Sequence, residues 1–128
     1  MASLLIVSHS DKIAQGVKEL ALEMAPDINI AASGGTIEGT LGSDYNKIYT
    51  ALTNIYTEDG VLVLFDLGSS YMTAELVKEA LALEGKEKIH IVDAALVEGA
   101  VTAAVQISLG LTIDEIVQSL ENLKLGKM

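Results

Sequence analysis

Apolar and polar positions follow two rhythms along this chain. Short, mainly apolar runs at residues 4–8, 28–32, 61–65 and 88–94 alternate with longer stretches where apolar side chains recur every three or four positions. Runs of the first kind suit strands covered on both faces, and stretches of the second kind suit helices with one buried stripe. Behind the first run, Ile13, Val17, Leu20, Ala21 and Met24 mark a helix that Ser10 can cap, with Asp11 in its first turn. Pro26 closes it. Ile48, Leu52 and Ile55 mark a second helix with Ser43 as its N-cap, and Glu58-Asp59-Gly60 turns the chain into the third run. A third helix is predicted over about 73–84, with Leu76, Val77, Ala80 and Leu81 inward and Gly85 as its stop. A fourth spans about 97–109 and ends at Gly110. Thr112 and Glu115 have capping-box spacing and open a fifth helix with Ile113, Ile116, Val117, Leu120 and Leu123 on its inner face. Residues 126–128 read as a frayed end.

The resulting order, βαβαβαβαα, predicts an α/β fold. Its centre is an open, mainly parallel four-stranded sheet in the order 2-1-3-4, with helices on both faces and one domain over residues 1–128. In that order strands 1 and 3 are neighbours and their connections leave in opposite directions. The crevice at such a switch point is where open α/β sheets keep their chemistry.

Composition narrows the function classes. Acidic residues outnumber basic ones 18 to 8, for a net charge of −10. That balance argues against nucleic acid and anionic membranes, whose phosphates need Lys and Arg. No apolar run approaches the roughly 20 residues that cross a bilayer, and the first residues do not read as a secretory signal. With no cysteine, thiolate and disulfide chemistry are excluded, and the cytoplasm is the simplest expected home.

Two strand ends carry the candidate chemistry. The first run leads straight into His9, one of two histidines, between Ser8 and Ser10; the third leads into Asp66 and then Leu67-Gly68-Ser69-Ser70. Neutral imidazole is a competent nucleophile near pH 7, and small neighbours let a phosphoryl group approach it. Asp66 can orient the ring or stabilise the imidazolium, but a carboxylate repels phosphate and should stand back from it. Four glycines between residues 34 and 42 make a flexible loop able to offer backbone N–H groups to an anion, as can the Gly68-Ser69-Ser70 turn. Neither stretch has the spacing of a nucleotide cradle. His90 lies inside the fourth run and reads as structural, and two distant histidines without cysteine make a zinc site an unpromising reading.

Four stretches together resemble one family. They are Ile6-Val7-Ser8-His9-Ser10, Ser33-Gly34-Gly35-Thr36 on to Gly39-Thr40, Phe65-Asp66-Leu67-Gly68-Ser69-Ser70, and Asp93-Ala94-Ala95-Leu96-Val97-Glu98-Gly99-Ala100. The family is DhaM, the phosphotransferase subunit of the phosphoenolpyruvate-dependent dihydroxyacetone kinase, whose domain is similar to mannose-type IIA domains. The resemblance implies that His9 takes a phosphoryl group from HPr and passes it to ADP on the partner subunit DhaL, which serves DhaK. It implies that Asp66 supports His9, and that Gly39, Thr40, Gly68 and Ser69 line the same crevice. It also implies a homodimer that itself binds no cofactor, with magnesium and ADP or ATP on the partner. Gly68-Ser69-Ser70 stands where mannose-type IIA domains tend to have Gly-Gly-Ser-Pro, which favours DhaM.

Two other classes fit parts of the pattern. A receiver-like signalling domain would be phosphorylated on Asp66, but it needs an acidic pair after strand 1, where only Asp11 occurs, and a lysine after a fifth parallel strand. A non-catalytic binding module would use His9 merely as a helix cap.

Overall fold

A computed structural model describes all of residues 1–128. In chain order it contains β1 (Ser3–Ser8), α1 (Asp11–Met24), β2 (Ile30–Gly34), α2 (Tyr45–Ile55), β3 (Val61–Phe65), α3 (Gly68–Leu83), β4 (Ile89–Val92), α4 (Leu96–Ser108) and α5 (Ile113–Leu120), followed by a 3-10 turn at Glu121–Leu123. The four strands are parallel and ordered β2-β1-β3-β4, the predicted arrangement.

The period of two within the strands divides the core. Leu4, Ile6, Leu62 and Leu64 face α1, α4 and α5. Leu5, Val7, Val61, Val63 and Phe65 face α2 and α3. Every residue of β3 is fully buried, so this strand is the spine of the sheet. Burying each such side chain contributes roughly 1.5–3 kcal/mol, which is why continuous apolar runs locate the sheet so well. The small-residue helix α4 lies close to the sheet: a Cβ on Gly99 would stand 3.2 Å from Ala94 Cβ and 3.5 Å from Leu64 Cδ1.

Caps fix the helix starts. Ser10 accepts from the Ile13 amide, and Thr112 and Glu115 form the expected capping box. Several boundaries differ from expectation, among them β2, which runs Ile30–Gly34 rather than 28–32, and β4, which runs Ile89–Val92 rather than 88–94. The cap of α2 is Asp44, which accepts from the Lys47 amide, rather than Ser43. Helix α3 begins at Gly68, five residues before the predicted start. The tail is docked rather than frayed, because buried Asp93 accepts from the Leu125 and Lys127 amides.

Candidate functional site

Register brings the two polar strand ends together. Val7 pairs with Phe65 across β1 and β3, and Ser8 pairs with Gly34 across β1 and β2. Asp66 therefore emerges beside Ser8 and His9, at the carboxyl edge of the sheet. One carboxylate oxygen, Oδ2, accepts from Ser8 Oγ at 2.8 Å and from the His9 amide at 2.9 Å. The other, Oδ1, accepts from the Leu67 amide at 2.7 Å and from Ser70 Oγ at 3.0 Å. It also lies 3.0 Å from His9 Nδ1.

These contacts assign the imidazole. Burial pushes the Asp66 carboxyl upward, but the His9 amide, the Ser8 hydroxyl, the His9 ring and the Leu67 amide outweigh it and hold the pKa down at about 2. An ionised carboxylate only accepts, so Nδ1 must carry the proton it shares with Oδ1. The lone pair of a neutral ring then resides on Nε2, where Ser69 Oγ approaches to 2.5 Å. Ser70 Oγ, 3.0 Å from Nδ1, closes the polar triangle with Asp66. The His9 side chain keeps 24 % of its surface exposed, against 16 % for Asp66. The Nε2 edge, where Ser69 sits, is the exposed one, and the carboxylate stands on the part-buried Nδ1 edge.

The early start of α3 makes this geometry possible. Ser69 and Ser70 occupy its first turn and reach back to the ring from a rigid element. The Gly68 and Ser69 amides find no acceptor within the chain, as expected at a helix start.

The glycine loop behaves differently. Gly35 and Gly42 donate their amides to Ser8 O and His9 O, Thr36 donates to Thr40 O, and Gly39 donates to Thr36 O. Thr40 donates its amide to Thr36 Oγ1, and the two threonine hydroxyls are hydrogen-bonded to each other. Gly39 and Thr40 thus hold the loop's own turn together. The glycines are also needed for contact: a Cβ on Gly34 would meet Ser10 O at 2.4 Å, and Gly35 sits at φ +66° with Thr40 O 2.7 Å from where its Cβ would be.

These observations meet the comparisons with known proteins. Residues 3–117 match the family described as the PTS system fructose IIA component, EIIA-man. The chain is 40 % identical over 123 residues to the Listeria innocua "PEP-dependent dihydroxyacetone kinase 2, phosphoryl donor subunit DhaM", covering 95 % of this chain and 98 % of that one. It is 36 % identical to a Lactococcus lactis "PTS-dependent dihydroxyacetone kinase, phosphotransferase subunit DhaM", covering 97 % of both chains. This chain belongs to the EIIA-man family and is a DhaM-type member of it. Among solved structures it resembles EF1359, a protein of unknown function, with a TM-score of 0.83, 34 % identity and coverage of 98 % of this chain and 97 % of that one.

In this DhaM-type chain the largest cleft, about 530 Å3, lies away from His9, along the outer edge of β2 between Lys18, Ala32, Lys47 and Asn54. His9 is reached from the open surface instead. His90 pairs opposite Leu62, near the other end of the sheet, and burial pulls its pKa below the ordinary histidine value. No three His, Asp or Glu side chains gather as a metal set.

Ser8 and Ser10 are not open flanks for an incoming group, as the sequence suggested. Ser8 is buried and bonded to Asp66, and Ser10 caps α1. Ser70 was expected only as part of a turn offering backbone N–H groups, not as a hydroxyl bound to Asp66 Oδ1 beside Nδ1. Its one sequence signal is the four-residue spacing from Asp66, which places the two on one side of a helix start.

Proposed function

We propose that this chain is a phosphohistidine carrier: His9 accepts a phosphoryl group from an HPr-type donor and passes it to ADP on a DhaL-type partner, supporting phosphorylation of dihydroxyacetone. The observation that carries this reading is the ring itself, with Nδ1 bound to an ionised carboxylate and Nε2 at the exposed edge.

In the first transfer the Nε2 lone pair forms a bond to phosphorus while the bond from phosphorus to the donor's histidine nitrogen breaks. That nitrogen keeps the electron pair. The ring of His9 becomes an imidazolium, with its proton still on Nδ1 and the Asp66 charge stabilising it. In the second transfer an oxygen of the ADP terminal phosphate attacks phosphorus, the bond to Nε2 breaks, and neutral His9 is restored. Positioning and electrostatics do most of the work in such transfers. In this scheme the Gly68 and Ser69 amides, which have no acceptor within the chain, and the Ser69 hydroxyl receive the phosphoryl oxygens at the start of α3. Magnesium and the nucleotide belong to the partner in this scheme.

A surface nucleophile suits a group that must be presented to two proteins in turn. A deep cleft would exclude them. The net charge of −10 favours fast, salt-sensitive encounters with partners that carry basic docking patches.

The test is incubation with phosphoenolpyruvate, enzyme I and HPr, followed by mapping of the modified residue. His9→Gln abolishes uptake with the fold intact, and His90→Ala is still phosphorylated. The bond formed is acid-labile and survives alkali. An alkali-labile acyl phosphate on Asp66 would replace this account with a receiver-like one.

A further inference from the structure

The tail after the 3-10 turn returns to the site end of the sheet. The Ala95 amide donates to Leu123 O, and Asp93 at the end of β4 accepts from the amides of Leu125 and Lys127. Lys127 Nζ then donates to Phe65 O at 2.8 Å and to Ala94 O at 2.9 Å. Phe65 is the residue immediately before Asp66. The same ammonium stands 4.7 Å from the centre of the Phe65 ring. The Lys127 carbonyl lies over the first turn of α3, where a Cβ on Gly68 would approach it to 3.2 Å. One short segment therefore touches the ends of β3 and β4 and the helix start that carries Ser69 and Ser70.

We propose that Lys127 is a positioning residue for phosphoryl transfer at His9. Its ammonium locks the carbonyl of Phe65 and so fixes the backbone that presents Asp66, while its charge offsets the Asp66 carboxylate when a phosphoryl group is on the ring. The inference rests on the phosphocarrier reading above. A carboxylate that must orient an imidazole within hydrogen-bond reach depends on the peptide unit before it. Lys127 tethers that unit to Ala94, in the connection between β4 and α4, through two of its three N–H donors. Burial draws its pKa below the ordinary lysine value, with Asp93 and Asp66 opposing that shift. The chain contains no arginine, and no lysine is in salt-bridge reach of Asp66, whose one ionisable partner is the His9 ring. Positive charge near this carboxylate is therefore scarce, and Lys127 supplies it without touching the carboxylate itself.

The experiment compares the wild-type chain with Lys127→Met, Lys127→Gln, Lys127→Arg and, as a control on an exposed lysine of the same segment, Lys124→Met. Two readouts are taken: phosphate uptake from HPr, and the imidazole nitrogen spectrum of unphosphorylated His9. The expected result is a fall in uptake of roughly tenfold or more for the Met and Gln variants, as for other small misplacements of a reacting group. The His9 spectrum of both then changes from one fixed tautomer to a mixture. Lys127→Arg recovers most of the rate, and Lys124→Met behaves as wild type. Wild-type rate and spectrum in either cooperatively melting variant would overturn the proposal, and so would a rate loss with an unchanged spectrum. If wild type itself takes up no phosphate, the carrier reading fails, while the spectra still report whether Lys127 holds the Asp66–His9 pair.

Discussion

Two loops flank His9, and they look alike in composition but differ in use. The loop after β2 and the turn after β3 are both rich in small residues, and both seemed able to cradle an anion. In the glycine loop the Gly35, Thr36, Gly39, Thr40 and Gly42 amides all have acceptors within the chain. Gly34 and Gly35 let the backbone lie against the His9-Ser10-Asp11 turn. The turn after β3 instead aims side chains at the ring: Asp66 and Ser70 at Nδ1, and Ser69 at Nε2. One loop packs its backbone against the His9 turn, and the other brings its side chains to both ring nitrogens. Small-residue content alone cannot tell these roles apart; the destination of each N–H and O–H does.

The sharpest way to break this comparison is Asp66→Asn. It leaves the shape of the turn but removes the charge and turns one of the two accepting oxygens into a donating NH2, so the Nδ1 proton is no longer fixed and phosphate uptake should fall on the order of 10²-fold. The same variant should change acid stability in a definite direction. Asp66 is held at about 2 in the fold, against about 3.9 for an unfolded aspartate. Its contribution is therefore present above about pH 4 and is lost as pH falls through about 2. Acid unfolding followed by circular dichroism should be less steep in that window for Asp66→Asn than for wild type.

On the opposite side, Gly34→Ala places a Cβ 2.4 Å from Ser10 O, a backbone atom that cannot swing away. The expected loss is about 1–3 kcal/mol of stability. It should appear as a lower thermal midpoint, with uptake per folded molecule changed much less than in Asp66→Asn. Smaller still is Ser69→Ala, which removes one hydroxyl at the open edge of the ring. A hydrogen bond of this kind is worth about 0.5–1.5 kcal/mol, so uptake should slow roughly two- to tenfold with the melting curve unchanged. The smallest effect is expected for Thr40→Ala. It disturbs only the loop's exposed threonine pair, and should shift stability by no more than about 0.5 kcal/mol and leave the rate alone. A large rate loss in Thr40→Ala would make the glycine loop chemical after all.

The sheet was legible because its central strands β1 and β3 are apolar runs; the edge strand β2 carries Ser33 and Gly34 and starts two residues later than its run suggested. His9 and Asp66 were legible for the same reason, since each follows directly on such a run. The start of α3 was not. Gly68, Ser69 and Ser70 are weak helix formers and read as loop, yet they make the helix's first turn, where Asp66 accepts the Leu67 amide next to them. The tail was misread on similar grounds. A glycine and a lysine near the last residue suggest fraying, but what holds Lys127 is the carbonyls of Phe65 and Ala94, far away in sequence. Such partners become visible only once the strands are laid side by side. Ser8 shows the same limit, because a small residue beside a nucleophile looks like open space until its bond to Asp66 is seen.

The most direct test is to phosphorylate a chain carrying nitrogen-15 in its histidines, using phosphoenolpyruvate, enzyme I and HPr, and to record the imidazole nitrogens of the product. The account predicts phosphorus on Nε2 of His9, with the proton still on Nδ1 facing Asp66. Phosphorus on Nδ1, on His90, or on no histidine at all would contradict it.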